Sequence, residues 1–139
     1  MKTNARANHG FTLVELAITM VILAILASLA LPSYRQYILR GHRADATRAL
    51  QDVASREESY FFSNSGYTAS LTTLGTNSSV AGQYFTVTLA SSSSSVYTAT
   101  ATAQGSQAKD ALCTSFSIDQ VGRKTVTGTG SPTDCWGTQ

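Results

Sequence analysis

Charge, histidine, proline and cysteine are all scarce in this chain of 139 residues. Charged side chains make up 13% of it, against roughly a quarter in an ordinary globular domain. Both positives in excess, Lys2 and Arg6, lie in the first ten residues. From residue 11 onward eight basic side chains balance eight acidic ones, so net charge selects neither a nucleic acid nor a membrane surface as partner. The only histidines are His9 and His42. No cluster has metal-ligand spacing, no glycine-rich loop follows a strand, and a Ser–His–Asp set has too few histidines to draw on. The chain is therefore expected to be no enzyme: no catalytic residue, no metal and no cofactor. Asp110, Asp119 and Asp134 stand apart from one another without a calcium-loop pattern and are expected to be solvated surface carboxylates. The sequon Asn77-Ser78-Ser79 carries little weight.

Length allows one domain. Of two cysteines, Cys113 and Cys135, the expectation is one disulfide if the chain is exported, and two unrelated thiols if it is not.

Against this scarcity stands one long apolar run. Phe11 to Leu31, "FTLVELAITMVILAILASLAL", holds a single ionisable group, Glu15. As a helix it spans about 31 Å at ~1.5 Å per residue, matching a hydrocarbon core of ~30 Å. Twelve of its residues are Leu, Ile, Val or Phe. They favour insertion by about 4 to 7 kcal/mol, against at most ~3 kcal/mol for one carboxylate near the end. Glu15 is tolerable there, but tolerance does not explain it. A secretory signal peptide cut after Ser28-Leu29-Ala30 has a shorter apolar region than this one. A plain anchor leaves Glu15 at the headgroup level with no task. Cleavage before the run, between Gly10 and Phe11, instead creates an ammonium on Phe11, four residues from Glu15. Intramembrane charges are costly unless paired, and a carboxylate near a helix N-terminus is favoured by the dipole. Glu15 then pairs with its own amine or with that of a neighbouring copy, where it acts as a register device.

The stretch "GFTLVEL", with Gly10 closing a short basic leader, resembles the processing motif of type IV pilins. That resemblance implies removal of residues 1–10 by a prepilin peptidase and N-methylation of Phe11 by the same enzyme. It also implies storage in the bacterial inner membrane with the C-terminal domain periplasmic, then extraction by the inner-membrane assembly machinery into an extracellular filament of homologous subunits. Glu15 is matched to the residue that neutralises the adjacent subunit's amine. The positive-inside rule opposes this topology, since Arg35, Arg40 and Arg43 follow the span. The leader motif and the cysteine pair favour it, and it is the topology adopted.

Pro32 follows the run and is expected to kink or unwind the helix, with Gly41 a second soft spot. Helical spacing resumes through residue 63: Tyr34, Tyr37, Ile38, Ala46, Ala49, Leu50, Val53, Ala54, Tyr60 and Phe61 form one apolar stripe for a sheet. Arg48 and Asp52 make an i, i+4 pair on the other face. Acidic residues interleave with the arginines, which disfavours a nucleic-acid helix. From residue 64 the composition changes, with 28 Ser or Thr in 76 residues, and the period becomes two. "QYFTVTLA" (83–90) and "VYTATATA" (96–103) read as a hairpin around the loop Ser91–Ser95. "CTSFSID" (113–119) and "RKTVTG" (123–128) read as a second hairpin. The fold expected is α+β: a long N-terminal helix, apolar in 11–31 and amphipathic in 32–63, packed on about four antiparallel strands in a head of residues 64–139. A Cys113–Cys135 bridge would pin "GTGSPTDCWGTQ" to that sheet. The pattern Cys113, Phe116, Ile118, Gly122, Lys124, Cys135-Trp136 is similar to the C-terminal region of type IVa pilins, and favours a pilin over a secretion pseudopilin.

The expected function is a structural subunit of a type IV pilus, slightly preferred as a minor one, serving motility, adhesion or DNA uptake. The alternatives are a type II secretion pseudopilin and a membrane-anchored adhesin or DNA-binding module that never polymerises.

Overall fold

The computed structural model describes residues 11–137; residues 1–10, expected to form a leader ending in Gly10, lie outside them. Two units make up the chain, one ending at Tyr37 and the other, the head, beginning at Ile38. The first helix, α1 (Leu13–Asn64), supplies residues to both. Thr12 caps its start, its hydroxyl accepting the Glu15 N–H at 3.2 Å. Pro32 does not break α1. A proline removes one hydrogen bond, here to the Ser28 carbonyl, and the intact turns on either side carry the helix across that gap. Gly41 is likewise inside α1, with open space where a Cβ would stand. The helix stops where Ser65 turns to a φ of 57° and donates its N–H to the Phe61 carbonyl at 2.8 Å, a left-handed cap filled here by serine instead of glycine.

The head sheet contains β1 (Phe85–Ser93), β2 (Val96–Ala103), β3 (Ser115–Asp119) and β4 (Lys124–Thr127), each antiparallel to its sequence neighbour in the order β1-β2-β3-β4. Both expected hairpins are present. The serine run is only partly loop: β1 continues to Ser93, with an irregularity between Ser91 and Ser93, and the Ser91 hydroxyl donates to the Ser93 and Val96 carbonyls. Period-two alternation then explains the composition. Phe85, Val87, Tyr97, Ala99, Ala101, Phe116 and Ile118 are buried with Ala46, Ala49, Leu50 and Val53 of α1. Threonines and serines occupy the opposite face, where Thr100 pairs with Ser117 and Thr127 with both Thr114 and Ser115. Tyr34 and Tyr37, expected in the buried stripe, are 63% and 76% exposed.

Cys113 and Cys135 are joined, with Cα atoms 5.8 Å apart. The bridge ties α2 (Pro132–Trp136) to the start of β3. Trp136 packs edge-on against Phe116 and donates its indole N–H to the Thr125 carbonyl. Between β4 and α2, Gly128 has a φ of 128°, and a Cβ there would strike the Leu112 carbonyl. Only glycine lets the two backbone segments approach so closely.

Candidate assembly surface

The feature that demands a partner is the first part of α1. Among the described residues one helix is long and apolar enough to cross a membrane, and none of its most apolar window is buried. Phe11, Leu13, Leu29 and Leu31 are each at least 60% exposed, and the large side chains between them half or more. An exposed apolar surface of this length needs lipid or another protein around it. Glu15 lies in the first turn and is exposed. Its main-chain N–H is satisfied by Thr12; among the described residues its carboxylate has no hydrogen bond or ion pair. Thr12 and Glu15 thus have the spacing of a capping box with only half of it formed, and the carboxylate remains available to an outside cation.

The head is held by buried polar groups that the sequence reading missed. Arg43 of α1 donates from Nε and a terminal nitrogen to both oxygens of Asp110, at 2.6 and 2.7 Å, with both residues buried. Asp110 is therefore not the solvated carboxylate expected of it. Its place is set by a short 3-10 helix, η2 (Gly105–Lys109), where buried Gln107 donates to Asp110 and to the Leu39 carbonyl while accepting from His42. The His42 ring in turn stacks on Tyr84 at 3.6 Å. Asp119 and Asp134 also have local tasks. Asp119 accepts the N–H groups of Val121 and Arg123 in the β3–β4 turn. Asp134 closes the capping box of α2 with Ser131, whose hydrogen bonds hold its carboxyl below the ordinary range. The expected Arg48–Asp52 pair is replaced by two others, Arg48 with Asp45 and Arg56 with Asp52 at 2.8 Å.

Glu57 is the second buried charge position. It is fully buried; one carboxylate oxygen accepts the Thr68 N–H at 3.1 Å and the other has no partner. Burial pushes its carboxyl above the usual 4.5, with the Thr68 hydrogen bond opposing and the neighbouring Glu58 adding to the shift. Arg43 and Glu57 do leave a trace in the sequence, because both fall in phase with Ala46, Leu50 and Val53. A charged residue in an apolar stripe signals a buried partner; 67 residues separate Arg43 from the one it finds, beyond any local spacing rule.

Residues 5–31 match the model of the prokaryotic N-terminal methylation motif, and residues 32–117 match a model described as type IV minor pilin ComP, DNA uptake sequence receptor. The chain is 36% identical over 92 residues to the type IV wide pilus major component PilA4 of Thermus thermophilus, covering 64% of this chain and 70% of that protein. It is 34% identical over 77 residues to a fimbrial protein of Neisseria meningitidis, covering 54% of this chain and 45% of that relative, less than half its length. The fold is shared with a type IV pilin from Shewanella oneidensis at a TM-score of 0.54 and 22% identity, over 72% of this chain and 99% of that one. A pilin model that accounts for 32–117, resting on an apolar run that carries the methylation motif, leaves one conclusion: this chain belongs to the type IV pilin family.

Proposed function

We infer that this pilin is a minor subunit, cleaved between Gly10 and Phe11, N-methylated on Phe11, and incorporated into a filament through the apolar part of α1. The observation that carries this reading is the Glu15 carboxylate, exposed and without a partner among the described residues at the tip of an otherwise apolar surface. In a bundle of such helices it meets the Phe11 ammonium of an adjoining copy, and subunits out of register leave two charges unpaired in an apolar core. A prepilin peptidase supplies the amine, and the inner-membrane assembly machinery supplies the partner copies. Pro32 deprives the Ser28 carbonyl of a helical partner, so this turn is the first to unwind when subunits pack. Intact mass tests the processing. A chain beginning at Phe11 and one methyl heavier than its sequence is expected, and one beginning at Leu31 would support a signal peptide instead. Subunit counting in sheared filaments tests the rank: a small fraction is expected, and a bulk share would overturn the minor assignment.

A second reading, DNA uptake, draws on the description of the model matched by residues 32–117. The charge balance of the head limits the electrostatic part of any such binding, since Arg43 is neutralised by Asp110 and Arg56 by Asp52. Binding to duplex DNA that depends on base sequence more than on salt would support it. Equal retention of all sequences, lost steeply with salt, would remove it.

A further inference from the structure

Tyr34 and Tyr37 stand one helical turn apart on one side of α1, with Arg35 between them, and all three are exposed. They follow Leu31 at ~4.5, ~6 and ~9 Å of helix rise. The run Phe11–Leu31 already fills a hydrocarbon core of ~30 Å, and the headgroup layer beyond it is about 5 to 8 Å deep. Helical side chains lean toward the helix N-terminus, so both phenol rings and the Arg35 stem point back from their Cα levels toward the bilayer. Tyrosine has an apolar ring for the acyl boundary and a hydroxyl for the ester and glycerol oxygens. A guanidinium fits a phosphodiester bidentately. Two aromatics and one arginine at these depths match a headgroup layer.

We propose that Tyr34, Arg35 and Tyr37 form an interfacial clamp that binds anionic phospholipid headgroups on the periplasmic side and sets the depth at which the stored subunit sits. The clamp rests on the proposed reading as a pilin and on the membrane-stored state, with the head periplasmic, that the resemblance implies. Its consequence is felt at the other membrane face. Because α1 runs unbroken through Pro32 before subunits pack, a slip of one turn, ~5 Å, carries Glu15 from the cytoplasmic interface into hydrocarbon or further from it. The clamp is therefore a positioning device for the assembly carboxylate.

The test uses the full chain carrying Leu23→Trp and Trp136→Phe, reconstituted in vesicles of phosphatidylethanolamine with phosphatidylglycerol, and in vesicles of phosphatidylcholine alone. Lipids brominated near the acyl-chain ends or near the ester report the depth of the introduced indole. With the clamp intact, quenching by the deep bromines is expected to dominate in the anionic vesicles. Tyr34→Ala with Tyr37→Ala should shift quenching toward the ester bromines by about one turn, ~5 Å. Arg35→Gln should abolish the difference between the two vesicle types. An unchanged depth in the double tyrosine variant would overturn the clamp while leaving the membrane reading intact. An indole quenched by neither lipid would overturn the membrane reading itself. Unchanged depth with lost filament incorporation would assign the two tyrosines to contacts between subunits, and would also overturn the clamp.

Discussion

The first part of α1 and the head treat an ionised side chain in opposite ways. Before Tyr37 the one carboxylate, Glu15, is exposed and unpaired among the described residues, in a surface built of leucine, isoleucine and valine. In the head, Asp110 is buried and receives three donated hydrogen bonds from Arg43 and Gln107. A satisfied buried charge fixes a fold from within. An unsatisfied one in an apolar surface specifies something outside the chain. The difference separates the part that must fold alone from the part that is completed only by other molecules.

Substitutions at each end sharpen that contrast. The largest effect is expected from Glu15→Ala: filament incorporation is lost while the melting temperature of the head in detergent is unchanged. Normal incorporation of that variant would remove the register role. Arg43→Ala should act in the reverse sense, lowering head stability by about 3 to 5 kcal/mol because it strands Asp110. Arg43→Met combined with Asp110→Leu should recover most of that loss in chemical denaturation, and failure to recover would mean that the pair does more than neutralise itself. Reduction of Cys113–Cys135 should cost on the order of 3 kcal/mol for a loop of this size, measured as a shift of the unfolding midpoint with and without reductant.

The smallest effect concerns Glu57 and pH. Its carboxyl is raised in the folded protein above 4.5, so the folded state holds a proton that the unfolded state has already released. Stability from this group is complete below 4.5 and declines as pH rises through the folded value. Glu57→Gln should flatten the stability profile in that window, and a profile identical to that of the parent would show that Glu57 is ionised at no cost.

Much of the architecture was legible because it follows local periods. The apolar run, the shift to alternation after residue 64 and the two cysteines define the helix, the hairpins and the staple, and the sheet has the expected four strands. Glu15 stood out since one charge in 21 apolar residues is conspicuous. What escaped depended on distance in sequence. Asp110 looked like any surface carboxylate until Arg43 arrived from α1, and His42, one of only two histidines, hydrogen-bonds Gln107 of η2. Tyr34 and Tyr37 were misassigned for a different reason: at 3.6 residues per turn they lie roughly 130° and 170° around the helix from the mean phase of Ala46, Leu50 and Val53, so they belong to another face and are exposed. Apolar character alone does not place a residue in a stripe; strict phase does.

The strand order carries a consequence for export. Because each strand pairs with the one just before it, the sheet grows by successive short closures and needs no crossover. A head threaded across a membrane helix-first can thus add strands in the sequence in which they emerge. Cys135, however, follows β4, so its bond to Cys113 closes only after the fourth strand has crossed. If the head is exported in this way, oxidation of that pair would serve as a completion mark, distinguishing a finished subunit from a partly threaded one by the absence of a free thiol.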